Sequence, residues 1–394
     1  LIPDAMAEPI VLHITNAPTP YRLPQYRAFQ KELQTEGIRL HVHFLGGRSR
    51  QREWKFRDED FVELSWSMGN SATMAQSAVD RIHQLRPAVV VLAWAMDGIA
   101  LRLLLHCRRR HIPVMIYSGE TEISARRRYQ WARNLFRIPF YKLATGFIAY
   151  GTAAQRYLTE RGVPLPNIEI AINVVDTHFF SDQVDAIISS PERAQLRSQF
   201  QLPSGKPFAA HLLFVGYVLR WKGIIEMVQA VALLNRTDVA LHIVGTGEDE
   251  AVLRQTVAQL GLQGQVFMHG YQQKNELPRY YAMADLLLFP SLNEVFGLVM
   301  VEGAAAGLPL IATRFAGATE DVIKHGVTGI IVDPSNSAEF SSALHRLLDS
   351  PQLRREMGRA ARHHALTKLT PERSAEGYRR GVARAISVQR RREK

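Results

Sequence analysis

Two glutamates seven residues apart stand out in the segment Pro290, Ser291, Leu292, Asn293, Glu294, Val295, Phe296, Gly297, Leu298, Val299, Met300, Val301, Glu302, Gly303. A carboxylate accepts two hydroxyl hydrogen bonds and so suits the diol of a sugar or a ribose. Between the glutamates, Gly297 has no Cβ, which lets a diphosphate come close to the amides of Phe296, Gly297 and Leu298. The apolar run after Gly297 reads as a helix, and a helix N-terminus offers unpaired amides and a positive dipole to an anion. The plainer alternative makes Glu294 a helix cap and Glu302 a solvated helical glutamate. A glycine and an aromatic between the two, with Gly303 to Pro309 following, favour the ligand reading.

A second cluster lies upstream in Phe214, Val215, Gly216, Tyr217, Val218, Leu219, Arg220, Trp221, Lys222, Gly223. Lys222 is a compact charge suited to a phosphate, and Arg220 offers a planar fork. Its alternative is a solvated basic loop. Other chemistry is poorly represented. His41 and His43 share a strand face but lack a third ligand nearby, so no metal is expected. Gly245, Thr246 and Gly247 do not make a dinucleotide fingerprint, because the third glycine is missing. The single cysteine, Cys107, excludes an internal disulfide and a cysteine-based metal cluster.

What must position these residues is a series of short apolar, β-branched runs. They fall at 10–15, 38–45, 88–94, 113–117, 146–150 and 168–172 in the first half, and at 212–216, 239–245, 265–268, 285–290, 308–313 and 329–333 in the second. Such continuous runs fit parallel strands covered on both faces, and the spaces between them hold helices. The chain therefore reads as α/β, with two doubly wound parallel-sheet domains, which its 394 residues allow. The boundary falls in the polar passage between Val175 and Leu202, and a final helix from Glu372 carries Tyr378, Val382 and Ile386 at helical spacing. Both clusters sit where a strand gives way to a helix, the side on which open α/β sheets bind ligands.

A net charge of +11 calls for an anionic partner. Nucleic acid is not supported, since no recognition-helix, zinc-finger or sheet-aromatic pattern accompanies the charge. The passage Ser124 to Leu143 is basic and aromatic. Trp131, Leu135 and Ile138 share one helical face, while Arg126, Arg133 and Arg137 share another. Such a helix either packs its apolar face on the sheet with solvated arginines, or lies on an anionic membrane. Arg127, Arg128 and the run Arg48, Arg50, Arg52, Lys55, Arg57 add to the same charge. The stretch Pro87 to Cys107 is interrupted by Asp97 and Arg102 and reads as a strand and helix rather than a span. The first five residues read as foreign to the protein, with Met6 as its start and no signal peptide after it.

Taken in this order and separation, the two clusters resemble the retaining family-4 glycosyltransferases. Further cues are Ile243 to Glu248, His269-Gly270-Tyr271, Tyr280 to Asp285 and Gly326 to Gly329, so the resemblance is strong over 212–332. It implies the GT-B fold, two Rossmann-like domains facing a cleft: 1–180, rejoined by a returning C-terminal helix at 372–394, would bind the acceptor, and 181–371 the donor. By position, Glu294 resembles the glutamate that contacts the donor sugar, and Glu302 the one that holds the nucleotide ribose. Phe296, Gly297, Leu298 and Val299 resemble the amide cradle, Lys222 the lysine that supports the leaving diphosphate, and Tyr271 a residue lining the base. Tyr217 stands after Gly216 where the family has an arginine, so Arg220 is its candidate substitute. Asn16, Tyr21 and Arg22 follow the first strand where many relatives carry a glycine pair, and read as acceptor or phosphate contacts; a turn shaped by its prolines is the alternative. Glu120 stands near the position of a family histidine and reads as an acceptor contact.

The resemblance implies transfer from a nucleotide-diphosphate sugar to a glycan or lipid-linked acceptor, without metal or other cofactor, for polysaccharide or glycolipid assembly at the cytoplasmic face of a membrane. A sugar-nucleotide epimerase or phosphorylase on the same fold is the alternative.

Overall fold

The computed structural model describes residues 8–46, 61, 63–70, 72–94, 96–125 and 130–392. Met6, the run Arg48 to Arg57, and Arg126, Arg127 and Arg128 lie outside the described residues. The chain forms two compact units, one of Leu1–Val175 with Pro371–Lys394, the other of Asp176–Thr370.

The first unit holds a seven-stranded parallel sheet: β1 (Ile10–Thr15), β2 (Arg39–Phe44), β3 (Trp66–Met68), β4 (Val89–Leu92), β5 (Val114–Ser118), β6 (Gly146–Ala149) and β7 (Ile168–Ile170). Its order is β3-β2-β1-β4-β5-β6-β7, so the winding reverses between β1 and β4. The strands are buried because their runs are apolar on both faces; β4 and β5 are buried throughout. β3, a three-residue edge strand, has no apolar run to announce it.

The helix Pro371–Arg392 returns to this unit and packs on the helix Leu23–Gln34. Tyr378 stacks on Phe29 at 4.0 Å between ring centroids, and its hydroxyl lies 2.9 Å from Nδ1 of His13. Gln25 donates to the Ser374 hydroxyl at 2.9 Å, while Arg379 pairs with Glu32 and Glu36. Gly377 is required for close approach, because a Cβ there would meet the Ile170 carbonyl oxygen at 1.8 Å.

The second unit holds a six-stranded sheet: β8 (Ala210–Val215), β9 (Val239–Val244), β10 (Val266–Met268), β11 (Leu286–Phe289), β12 (Leu310–Thr313) and β13 (Gly329–Val332). The order β10-β9-β8-β11-β12-β13 reverses between β8 and β11. Across β8, β9 and the end of β10, three histidines form a hydrogen-bonded row, His211 to His242 at 2.9 Å and His242 to His269 at 3.0 Å. Burial pushes all three down, to about 4, 2 and 4 in that order, so the row is neutral at physiological pH. His364 places Nε2 2.7 Å from the Asp321 carbonyl oxygen.

The helix Gln130–Leu143 corrects one expectation: its apolar face does not pack on the sheet. Trp131 is 68% exposed, Leu135 58%, Phe136 42% and Ile138 40%. The inward position belongs instead to Arg137, which is 4% exposed, ion-paired with Glu120 and bonded to the Tyr157 hydroxyl at 3.3 Å. Arg133 lies 3.7 Å from the same carboxylate. A buried arginine needs a counterion, and Glu120 supplies it.

Candidate active site

The two loops with the strongest chemistry leave β8 and β11, the neighbouring strands at which the second sheet changes winding. This is the crevice in which doubly wound sheets bind ligands.

After β8 the chain runs through Gly216 and Tyr217 to one turn of 3₁₀ helix, Arg220–Lys222. Gly223 ends that turn with φ +71° and starts the helix Ile224–Ala232. Its Cα lies against the loop after β11: a Cβ would stand 2.0 Å from the Pro290 carbonyl oxygen. The Leu292 amide also donates to the Trp221 carbonyl at 2.9 Å, so the two loops are joined by their backbones. That seam brings Lys222 and Glu294 into an ion pair with both side chains largely buried. The Lys222 ammonium lies 4.4 Å from the Trp221 ring centroid and 6.0 Å from that of Phe289. Desolvation by these rings strengthens the attraction of the ammonium for an anion.

Glu294 is fixed by its backbone on the other side. Its amide donates to the Phe315 carbonyl at 3.0 Å, and its carbonyl accepts from Gly317 at 3.1 Å. The helix that follows is Leu298–Ala305, and its cap is Gly297, at φ +102°, with no side-chain cap bond. Glu294 is therefore not the helix cap, and among the described residues no side chain accepts from the first-turn amides of Leu298 and Val299. A helix start left in this condition is suited to an anion.

Glu302 sits further along this helix and is buried, at 9% exposed. This excludes the solvated-glutamate alternative. The Tyr281 hydroxyl, itself fully buried, donates to Glu302 Oε2 at 2.6 Å. Burial raises the Glu302 carboxyl above the usual range, while the Tyr281 bond and the charge of Lys274 hold it back. Tyr281 was not singled out from sequence. Its only signal is a place beside Tyr280 in the run before Asp285, where helical register alone tells the buried tyrosine from the half-exposed one.

Arg220, the candidate substitute for the family arginine, lies at the surface of the 3₁₀ turn. Its side chain is 70% exposed, with Nε 4.0 Å from Asp249 Oδ1, while its amide donates to Asp249 Oδ2 at 2.8 Å. Asp249 thus anchors the Arg220 backbone and lies near its exposed guanidinium. Tyr217 and Tyr271 are half-buried, and Tyr271 follows Gly270, whose carbonyl accepts from the Gly245 amide at 2.8 Å. Phe296 is buried under the glycine cap.

The remaining candidates lie in the first unit. Asn16 is exposed and accepts from the Ala17 amide at 2.9 Å. Tyr21 and Arg22 end the loop after β1, where the first sheet changes winding, and Arg22 donates to the Tyr150 hydroxyl at 2.8 Å. Glu120 follows β5 and is held by Arg137.

Residues 192–364 match the family described as glycosyl transferases group 1. The D-inositol 3-phosphate glycosyltransferase of Arthrobacter sp. (strain FB24) is 36% identical over 189 residues, which are 46% of this chain and 44% of that protein. The N-acetyl-alpha-D-glucosaminyl L-malate synthase of Bacillus anthracis is 27% identical over 55% of this chain and 53% of its own. The chain thus spans about half the length of these curated relatives. Among solved structures, Anabaena HepE in complex with UDP and glucose superimposes with a TM-score of 0.73 at 16% identity, covering 95% of this chain and 99% of that one. The lipopolysaccharide outer core galactosyltransferase WaaB gives 0.67 at 15% identity, covering 95% and 99%. The chain has the GT-B fold of two parallel-sheet units, and its residues 192–364 are similar to the glycosyl transferases group 1 family.

Proposed function

We propose that the chain transfers a sugar, with retention of anomeric configuration, from a nucleotide-diphosphate donor to a hydroxyl of a glycan or lipid-linked acceptor. The observation that carries this reading is the Lys222–Glu294 pair, set beside a helix start without a side-chain cap at the reversal of the second sheet. Lys222 and the Phe296–Leu298 amides stabilise negative charge growing on the departing diphosphate. Glu294 takes hydroxyls of the sugar, and Glu302 those of the ribose. Tyr271 and Tyr217 border the same donor. The acceptor hydroxyl attacks the anomeric carbon from the leaving-group face, the bond to the diphosphate breaks and the hydroxyl proton passes to the departing phosphate, so no enzyme nucleophile is needed. A calorimetric and thermal-shift screen of uridine, guanosine and adenosine diphosphates and their sugars tests the donor. One nucleotide diphosphate raises the melting temperature, and its sugar is consumed only when an acceptor hydroxyl is supplied. Epimerised sugar formed without acceptor, or no nucleotide binding at all, overturns the reading.

The exposed apolar face of the helix Gln130–Leu143 supports work at a membrane surface, for surface polysaccharide or glycolipid assembly. Trp131, Leu135, Phe136 and Ile138 present an aromatic and aliphatic patch, and Arg133 on the same helix adds positive charge; Arg126, Arg127 and Arg128 precede it in sequence. A patch of this kind inserts into the headgroup boundary while cations attract anionic lipid. No described helix is long and apolar enough to cross a membrane. Co-sedimentation with vesicles of anionic and of zwitterionic phospholipid checks this: the protein follows the anionic vesicles, and the Trp131→Ala, Leu135→Ser double substitution weakens partitioning about tenfold by removing apolar burial. Equal partitioning of both proteins sinks the membrane role.

A further inference from the structure

Three helices of the first unit end around the starts of β5 and β6: Gly98–Arg109, Gln130–Leu143 and Pro371–Arg392. Past the edge of the sheet they leave a cavity of about 480 Å³, within the range of about 300–1,000 Å³ usual for small-molecule sites. Leu104, Ile112, Pro113, Val114, Leu143 and Val388 form its walls. The first, third and fourth of these are buried and the others half-buried, so the interior is aliphatic. The Thr145 hydroxyl, also in the wall, already accepts from the Val114 amide at 3.1 Å. Water inside such a space finds few partners, whereas an aliphatic chain loses nothing by entering it.

The mouth of this cavity is positive. Arg108 and His111, both exposed, line it on the solvent side, and no carboxylate lines it among the described residues. The sequence accounts for that imbalance: 98–119, 123–159 and 377–392, which supply every wall, contain neither Asp nor Glu. A helix end carries about half a negative charge, and Arg108, Arg109 and Arg110 at the end of Gly98–Arg109 more than offset it. His111 follows with φ +58°, while the Ile112 amide bonds back to the Cys107 carbonyl at 2.9 Å. A glycine would make this turn at less cost; the histidine sets an imidazole at the mouth instead.

We infer that this cavity binds a single-chain aliphatic carboxylate, with the chain among Leu104, Val114, Leu143 and Val388 and the head at Arg108 and His111. The guanidinium fork matches the two oxygens of a carboxylate, and an unbranched chain suits aliphatic walls with one charged end. The occupant bridges elements far apart in sequence, since Val388 belongs to the returning helix and Leu104 to Gly98–Arg109. Binding therefore ties the last turns of Pro371–Arg392 to the sheet and stabilises the first unit. The site lies at the starts of the parallel strands, whereas Tyr21, Arg22 and Glu120 follow their ends, and it does not depend on the transfer reading.

Titration calorimetry and thermal melting of the full chain with octanoate, decanoate and decyltrimethylammonium, each below micelle-forming concentration, test it. Decanoate binds saturably at one site and raises the melting temperature, while the cation of equal chain length does not bind. Octanoate, shorter by two methylenes, binds about tenfold more weakly. Arg108→Glu, at an exposed position, weakens decanoate binding at least about tenfold and leaves the melting of the free protein unchanged. Val388→Trp fills the cavity and abolishes binding, whereas the Trp131→Ala, Leu135→Ser double substitution retains it. The site is overturned by absence of saturable decanoate binding to the native chain, or by equal affinity in native, Arg108→Glu and Val388→Trp proteins. Loss of binding in the Trp131→Ala, Leu135→Ser protein overturns it too, because the carboxylate then sits on the exposed face of Gln130–Leu143. Equal affinity for the decyl cation likewise removes the role of the positive mouth and with it the proposal.

Discussion

Lys222→Ala is expected to lower sugar transfer by about 100–1000-fold, the range for losing one preorganised charge-stabilising group. The ammonium is held between Glu294 and the Trp221 ring, in the loop beside the helix start at Gly297. A diphosphate competes with Glu294 for the Lys222 ammonium. Lys222 then turns to phosphate and Glu294 becomes available to the sugar. Donor affinity therefore falls together with turnover in Lys222→Ala. Glu294→Ala gives a loss of similar size for a different reason, since it frees Lys222 but removes the sugar contact. The double substitution costs less than the product of the two, because each single change leaves an unmatched, largely buried charge behind. Initial rates with saturating and limiting donor separate the effects, with circular dichroism to verify folding. Near-native rates in both single variants would remove this pair from the reaction.

Glu302→Leu is expected to weaken nucleotide binding by about 10–150-fold, the equivalent of roughly 1.5–3 kcal/mol for charge-assisted hydrogen bonds. Leucine fills a similar buried volume, so the helix survives while the Tyr281 hydroxyl loses its acceptor. The carboxylate must be ionised to serve a diol, and burial raises its pKa. Binding therefore weakens as the pH falls through that raised value. Tyr281→Phe removes the bond that holds the carboxyl down, so its pKa climbs further and donor affinity is lost at a higher pH than in the native chain. Calorimetry of the nucleotide diphosphate from weakly acidic to weakly basic pH reads the displacement. Identical pH profiles for the native chain and Tyr281→Phe would deny Tyr281 a positioning role.

The parallel strands were legible because burial on both faces demands uninterrupted apolar runs, and such runs need no knowledge of the partner strand. β3 escaped because Trp66, Ser67 and Met68 form an edge strand that is covered on neither face in full. Glu294 and Lys222 were each visible as chemistry, yet their contact spans 72 positions of sequence and depends on Gly223 seating against Pro290. Arg220 and Lys222 differ by two positions in one loop, yet Lys222 is largely buried against Glu294 while Arg220 is exposed beside Asp249, a difference their spacing does not announce. The helix Gln130–Leu143 shows the same limit from the other side. Its sequence separates an apolar face from a basic one, but periodicity is blind to which face turns inward. Glu120, before the helix in the chain, recruits Arg137 and leaves Trp131 outside. The histidine row likewise draws one ring from each of three segments, with no spacing in common.

The helix Pro371–Arg392 has a consequence for the order of biosynthesis. It supplies Tyr378 to the stack on Phe29 and the hydroxyl beside His13, so the first unit is incomplete until this helix has been synthesised. The second unit, Asp176–Thr370, is continuous and is finished earlier. Domains made first ordinarily fold first. Here vectorial synthesis works in reverse: the half that begins the chain waits, with the groove along Leu23–Gln34 open, for a segment made after the donor half is complete.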